Sequence, residues 1–283
     1  MSIQHIAVIG AGTMGNGIAQ ICALAGIRVA LVDVADEALE KGVATLTANL
    51  ERQVRKERIC ATDKQDALAR ISVTTDYALL RDVDLVIEAA TENLELKKRI
   101  LKQIDSVVSR HCIIATNTSS LSVTELAAVV TQPGRFIGLH FFNPVPLMAL
   151  LEIIRGLQTS DATHTVALAL AEQIGKNPVA ARNSPGFVVN RILCPMINEA
   201  IFVLQEGLAS AKDIDTGMQL GCNHPIGPLA LADLIGLDTM LAIMESFHQG
   251  FNDPKYRPSP LLKEMVAAGY LGRKSGRGFY TYD

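Results

Sequence analysis

The stretch Ile6-Ala7-Val8-Ile9-Gly10-Ala11-Gly12-Thr13-Met14-Gly15 decides the fold of this chain. Four apolar residues in succession read as a buried strand, and the G-x-G-x-x-G turn after them opens an apolar helix that ends near Gly26. Gly10 permits the tight turn, Gly12 lets the backbone approach a pyrophosphate with no Cβ in the way, and Gly15 lets helix and strand pack closely. The helix N-terminus, with Thr13 and Met14 in its first turn, then faces the phosphates. A second apolar strand, Val29-Ala30-Leu31-Val32, ends in Asp33. A carboxylate at that place accepts hydrogen bonds from both ribose hydroxyls of an adenosine and repels a 2′-phosphate, so NAD is expected rather than NADP. The plain alternative for Asp33 is a strand-end carboxylate capping the next helix.

Working outward, the 283 residues, 49% of them hydrophobic, suffice for a sizeable core divided between two domains. A formal net charge of -3 leaves no basic excess for wrapping nucleic acid, and no long apolar run suggests a membrane span. Met1 lies only a few residues before the first strand, which leaves no room for a cleavable leader, so a soluble, cytoplasmic α/β enzyme is the expectation. Cys22, Cys60, Cys112, Cys194 and Cys222 are odd in number and widely spaced, without a C-x-x-C, and suggest neither a disulfide framework nor a metal site.

From Asp36 to Arg58 the pattern is helical, with Leu39, Val43, Leu46, Leu50 and Val54 on one face. Near its far end Arg52, Arg55 and Lys56 lie three and four apart and could hold an anionic group. Glu51 and Glu57 are interleaved with them, and on spacing alone a solvated charged face is the stronger reading. Ile71-Ser72-Val73 and Leu85-Val86-Ile87-Glu88-Ala89-Ala90 are further strands, the second followed by Thr91-Glu92-Asn93 and a helix from Leu94 to Arg110. Strands alternating with helices predict a parallel, doubly wound sheet, whose ligands bind beyond the carboxyl ends of the strands. That places Glu92 and Lys97 near the cofactor edge, although by residue type alone each reads as a surface charge. Ile113-Ile114-Ala115-Thr116 is the next strand, and the polar Asn117-Thr118-Ser119-Ser120 after it either caps the following helix or faces the ligand.

The segment Phe136 to Ile154 carries the chemistry. Phe136-Ile137-Gly138-Leu139-His140 and Leu150-Leu151-Glu152-Ile153-Ile154 are strands, joined by the proline-stiffened loop Phe141-Phe142-Asn143-Pro144-Val145-Pro146. If the strands pair antiparallel, His140 and Glu152 face each other near the mouth of the loop. A carboxylate on an imidazole fixes its tautomer and stabilises its protonated form, as a general base for an alcohol proton requires. A core histidine with a satisfied carboxylate is the bland alternative. Beside a dinucleotide site the catalytic reading is preferred, and the remaining histidines, His5, His111, His164, His224 and His248, are read as structural.

A helix from Asp161 to Ile174 and the strand Pro178-Val179-Ala180 complete the first domain, residues 1–184, with a boundary at Arg182-Asn183-Ser184-Pro185-Gly186. Residues 185–283 read as all-helical, with helices over 187–205, 212–220, 227–235, 237–247 and 261–268. The first of these is apolar on most sides, which predicts burial all round, and Pro195 inside it should free the carbonyl of Arg191. So small an apolar helical unit suggests burial against a second subunit.

Taken together, Gly10-Ala11-Gly12-Thr13-Met14-Gly15, Asn117-Thr118-Ser119-Ser120, His140-Phe141-Phe142-Asn143-Pro144, Ser184-Pro185-Gly186-Phe187-Val188-Val189-Asn190-Arg191 and Gly227-Pro228 through Gly236-Leu237-Asp238 resemble the L-3-hydroxyacyl-CoA dehydrogenases, and among them the bacterial 3-hydroxybutyryl-CoA branch. The resemblance runs from the first strand to Lys274-Ser275-Gly276-Arg277-Gly278-Phe279-Tyr280. It implies NAD-dependent interconversion of (S)-3-hydroxyacyl-CoA and 3-oxoacyl-CoA, with His140 as general base oriented by Glu152. Ser119 would bond the reacting oxygen, and Asn190 would help to fix the substrate from the helical domain, so that closure of the domains is expected. Cofactor contacts would fall on Asp33, Glu92, Lys97, Asn117, Asn143 and Lys274, and coenzyme A contacts on Arg52 and Lys56, which reverses the reading of that patch. The resemblance also implies a homodimer through the helical domain. Where similar bacterial sequences continue with Lys-Gly-Lys, this chain has Lys56-Glu57-Arg58, which puts a negative charge in the presumed phosphate surface. Two other readings compete: a dehydrogenase of free 3-hydroxy or sugar acids, which needs no remote phosphate site, and a non-catalytic NAD-binding protein, which needs no base.

Overall fold

The computed structural model describes residues 3–282. In chain order the first part runs β1 (His5–Ile9), α1 (Thr13–Leu24), β2 (Arg28–Val32), α2 (Asp36–Arg55), α3 (Ala61–Ala69), β3 (Ile71–Thr74), β4 (Leu85–Glu88), α4 (Leu94–Val107), β5 (Ile113–Thr116), α5 (Val123–Ala127), β6 (Phe136–Phe141), β7 (Leu150–Arg155), α6 (Asp161–Gln173) and β8 (Asn177–Arg182). The second part is helical: α7 (Val189–Gln205), α8 (Ala211–Cys222), α9 (Pro228–Ile235), α10 (Leu237–Phe251) and α11 (Pro260–Ala267). The chain divides into two compact units after Ser184. No helix among the described residues is long and apolar enough to cross a membrane.

In the first unit a single eight-stranded sheet has the order β3-β2-β1-β4-β5-β6-β7-β8. Neighbours are parallel except β6 and β7, which are antiparallel. Strand β1 lies between β2 and β4, so the chain leaves it toward one side of the sheet and later returns to the other. This is the switch point beyond which doubly wound sheets bind nucleotides. The apolar strand runs are buried because helices cover the sheet: Ile6 and Val8 of β1, Ile18 and Cys22 of α1, and Leu46 and Leu50 of α2 share one core. Each such aliphatic side chain contributes about 1.5–3 kcal/mol on burial.

Two sequence expectations are corrected in this unit. The helical pattern from Asp36 stops at Arg55 instead of Arg58, because Glu57 takes a left-handed conformation (φ 54°). There Glu57 N–H donates to Val54 O (2.9 Å) and Arg58 N–H to Gln53 O (3.0 Å), the paired closure that ends a helix. Helix α3 was not anticipated. Only Ala67 of it is buried, so it has no apolar stripe, and it is started by a reciprocal cap in which Asp63 N–H donates to Cys60 Sγ and Cys60 N–H to the Asp63 carboxylate.

In the second unit Ile197 and Ile201 of α7 pack with Leu229 and Ala232 of α9 and with Met240, Met244 and Phe247 of α10. The expectation that α7 is buried all round does not hold within one chain, since Ile192 is 68% exposed. Arg191, whose carbonyl Pro195 frees, lays its guanidinium over the Phe251 and Tyr256 rings at 4.1 and 4.4 Å. Two buried aspartates organise the rest. Asp215 accepts the N–H groups of Leu229 (2.8 Å) and Ala230 (2.9 Å) at the start of α9, and Asp233 accepts those of Phe279 (2.9 Å) and Tyr280 (3.0 Å). The C-terminal segment is thereby tied to α9.

Candidate active site

The carboxyl ends of β1, β2, β4, β5 and β6 share one edge of the sheet because those strands are parallel. At the end of β1, Gly10 has φ 101°, and a Cβ there would meet the backbone of Ala90 at 2.7 Å. A Cβ on Gly15 would overlap the carbonyl of Gly10, whereas one on Gly12 meets nothing within 4 Å. The turn is therefore tight at Gly10 and Gly15 and open at Gly12, beside the exposed first residue of α1, Thr13, and half-buried Met14. No acidic residue stands in the first turn of α1 and no side chain caps it, so its amides suit an anionic ligand. Asp33 closes the end of β2, accepting the N–H of Ala11 (2.7 Å) and of Val34 (2.7 Å). Burial, together with the negative fields of Asp33 and Glu88, pushes the Tyr77 phenol above its ordinary range.

Beneath this edge lies an ion pair. Lys97, which residue type alone suggests is a surface charge, is fully buried, and its ammonium bonds the carboxylate of Glu88 and, at 3.2 Å, Thr116 Oγ1. Glu88 also accepts from Thr116 Oγ1 (2.9 Å) and from Ala90 N–H (2.9 Å), and so fixes the turn against which Gly10 packs. Glu92 is exposed, and its carboxylate accepts from Thr118 Oγ1 (2.7 Å) and Ser119 N–H (3.0 Å), while Ser119 Oγ lies 3.5 Å away. Glu92 thus holds the loop bearing Ser119. Asn117 is buried, and its side-chain carbonyl accepts the N–H of Phe141 (2.9 Å), which locks the end of β5 to that of β6.

At the end of β6, His140 stands directly opposite Glu152 in the antiparallel β6–β7 register. Nδ1 of His140 lies 2.7 Å from Oε2 of Glu152, both side chains are buried, and the Phe142 ring packs at 4.5 Å from the imidazole. With Nδ1 bonded to a carboxylate, the imidazole is held in a fixed orientation and its protonated form is favoured. Asn143 is exposed in the following loop, and its bond to Pro144 is cis.

A cleft of roughly 190 Å³ lies between α2 and that loop, with Asn49, Arg52 and Lys56 on one wall and Pro144, Pro146 and Leu147 on the other. Arg58 also lines it, and Glu57 does not, so the negative charge expected within the patch stands outside the cleft and a third cation stands in it. The sequence pattern carries the helix through Arg58. Spacing along a continued helix misplaces it.

The remaining candidates lie in the helical unit. Asn190 occupies the first turn of α7, partly buried. Lys274 pairs with Asp238 at 2.5 Å, beside Gly236. Among the described residues no cluster of histidine, cysteine or carboxylate side chains could hold a metal ion.

Comparison with known proteins identifies the family. The family model described as 3-hydroxyacyl-CoA dehydrogenase, NAD binding domain, matches residues 5–184, and the model of the C-terminal domain of the same family matches residues 186–282. The probable 3-hydroxybutyryl-CoA dehydrogenase of Bacillus subtilis is 51% identical over 283 residues, covering 100% of this chain and 99% of the relative. The 3-hydroxybutyryl-CoA dehydrogenase of Bradyrhizobium diazoefficiens is 51% identical over 280 residues, covering 99% and 96%. The crystal structure of (S)-3-hydroxybutyryl-CoA dehydrogenase PaaH1 from Ralstonia eutropha has a TM-score of 0.98 at 63% identity, each chain covered in full. Matched along its whole described length in sequence and in structure, the chain belongs to the 3-hydroxyacyl-CoA dehydrogenase family and is an NAD-dependent oxidoreductase.

Proposed function

We propose that this protein interconverts short-chain (S)-3-hydroxyacyl-CoA and 3-oxoacyl-CoA, the pair 3-hydroxybutyryl-CoA and acetoacetyl-CoA first among them, with His140 and Glu152 as the acid/base machinery. The observation that carries this reading is the buried 2.7 Å His140–Glu152 contact on the sheet edge that also bears the Gly10–Gly15 turn. NAD, when bound, would supply the acceptor for the hydride that leaves C3 of the substrate. His140 Nε2 takes the hydroxyl proton as the C3–O bond becomes a carbonyl, and Glu152 stabilises the charge that the imidazole acquires. In reduction the same nitrogen returns the proton. Ser119 donates to the reacting oxygen, and Asn190 of the helical unit helps to hold the thioester.

The cofactor would be held by Gly10, Gly12, Thr13, Met14 and Gly15 at its phosphates and by Asp33 at its ribose, with Glu92, Asn117, Asn143 and Lys274 as further contacts. Lys97 acts on the same site from below, through Glu88. Arg52 and Lys56, joined by Arg58, take the phosphates of coenzyme A. The helical unit mediates a homodimer, which covers Ile192, Leu208, Leu220 and Leu234, all exposed in the single chain. Five free cysteines suit a reducing compartment, the cytoplasm.

The experiment is initial-rate oxidation of NADH and of NADPH with acetoacetyl-CoA and with free acetoacetate. Turnover of the thioester with NADH, at least about a hundredfold above the free acid, is the expected result. Equal turnover of the free acid makes the cleft beside α2 a solvated surface and sinks the acyl-CoA assignment.

A further inference from the structure

Residues 142–149 join the strand carrying His140 to the strand carrying Glu152. This loop bears Asn143, and Pro144, Pro146 and Leu147 form one wall of the cleft opposite Arg52 and Lys56. Its internal bonds are few, Leu147 and Met148 N–H both donating to Pro144 O (2.9 and 3.1 Å). Two of its carbonyls have another partner. Lys176 Nζ donates to Val145 O and to Met148 O, each at 2.6 Å.

Lys176 is 8% exposed and sits between α6 and β8, its own N–H donating to Ala171 O at 2.8 Å. The next residue, Asn177, donates its N–H to Ala149 O at 2.8 Å, so the base of the loop is anchored from the same place. From the other side the loop meets α1, the helix of the dinucleotide turn: a Cβ on Gly17 would come within 2.8 Å of Val145 Cβ. Burying an ammonium against carbonyl dipoles instead of a carboxylate is costly, and burial indeed depresses the affinity of Lys176 for its proton. An apolar side chain of similar length would fill the same space without that cost, but it would leave two inward carbonyls unpaired and the loop without its clasp.

We infer that Lys176 is a positioning residue for the dehydrogenase: its ammonium clasps the carbonyls of Val145 and Met148 and so sets the loop that presents Asn143 to the cofactor and the Pro144–Leu147 wall to the thioester. This rests on the acyl-CoA reading given above for what the loop touches, but not for the clasp itself. Residues 145–148 bridge β6 and β7, whose pairing keeps His140 and Glu152 together without them. Loss of the clasp therefore loosens the binding surfaces before it disturbs the acid/base pair.

The test uses the full chain as wild type, Lys176→Met, Lys176→Gln and Lys176→Arg. Three readouts are taken: hydrogen exchange of the 143–149 peptide, NADH binding by fluorescence titration, and initial rates with acetoacetyl-CoA. In Lys176→Met the loop amides should exchange about tenfold faster while β6 and β7 stay as protected as in the wild type. The NADH Kd and the thioester KM should rise severalfold, kcat/KM should fall about tenfold, and Lys176→Arg should recover part of each. Unchanged loop exchange with unchanged Kd and KM overturns the inference, as does uniformly faster exchange over the whole sheet unit, which is the mark of a scaffold residue. If Lys176→Met does not fold, Lys176→Gln, with one amide donor group in place of the ammonium, is held to the same criteria. If the wild type itself fails to reduce acetoacetyl-CoA, the substrate reading falls while loop exchange and NADH titration still judge the clasp.

Discussion

Nδ1 of His140 and Oε2 of Glu152 are 2.7 Å apart across the antiparallel β6–β7 pair, with Glu152 fully buried. A carboxylate so placed fixes the orientation of the imidazole and stabilises its protonated form, the two properties that the proposed acid/base role requires. Because the partners stand on two paired strands, the contact needs no ligand to assemble it.

Replacing either partner should therefore act on chemistry more than on cofactor binding. His140→Ala should lose about two to four orders of magnitude in kcat with acetoacetyl-CoA and NADH. Glu152→Gln, which offers a neutral amide in place of the charge, should lose about a hundredfold or more. Fluorescence titration should find NADH affinity little changed in both variants. A His140→Ala enzyme with wild-type kcat would remove His140 from the mechanism.

The Glu88–Lys97 pair makes a different kind of prediction, about stability. Both side chains are wholly buried, so removing one partner leaves an uncompensated charge beneath the dinucleotide turn. Lys97→Met and Glu88→Gln should each destabilise the protein by about 3–5 kcal/mol, and the double variant by clearly less than the sum. Urea denaturation of the three variants measures this. Strict additivity would mean that the two groups do not act as a pair.

Strands β1, β2, β4, β5, β6 and β7 were legible as short apolar runs, the pattern a covered sheet requires, whereas the edge strands β3 and β8 are largely exposed and were marked by their flanking residues. The facing of His140 and Glu152 was legible for a related reason. A short loop between two strands leaves few registers, and alternation does the rest. What escaped was decided by long-range contact or by a single dihedral angle. Nothing local marks Lys97 as a buried partner of Glu88, or Lys176 as the clasp of a loop some thirty residues earlier. Arg58 was missed because Glu57 adopts positive φ, which is uncommon for a glutamate and turns the next residue into the cleft.

That turn gives Arg58 a function to test. Arg58→Ala should raise the KM for acetoacetyl-CoA severalfold, as loss of one phosphate contact among three cations implies, without changing kcat or the KM for NADH. The same substitution should leave the KM for acetoacetyl-pantetheine, which lacks the nucleotide, where it was. An equal rise for both thioesters would show that Arg58 acts on the loop and not on the coenzyme A phosphates. Glu57→Gly should keep the low KM, because glycine adopts the same left-handed conformation with less strain.

The C-terminal segment makes the pH prediction. Tyr280 donates its hydroxyl to an Asp215 carboxylate oxygen at 2.7 Å, and burial together with that bond pushes its ionisation above the ordinary range near 10. A phenol that holds its proton more firmly when folded than when unfolded contributes stability that is complete below about pH 10 and is lost as the pH rises from there toward the folded value. Tyr280→Phe lacks both the bond and the titration. It should therefore be less stable than the wild type at pH 8, by about 1.5–3 kcal/mol for a bond to a charged acceptor, and its stability should fall less steeply between pH 10 and 11. Tyr282, whose hydroxyl bonds Asp233 at 2.9 Å and whose ionisation is also raised by burial, is present in both proteins, and its charge adds to the rise at Tyr280. Melting curves of the two proteins across that range should converge toward alkaline pH. Parallel curves would mean that the Tyr280–Asp215 bond does not discriminate between the protonation states of the phenol.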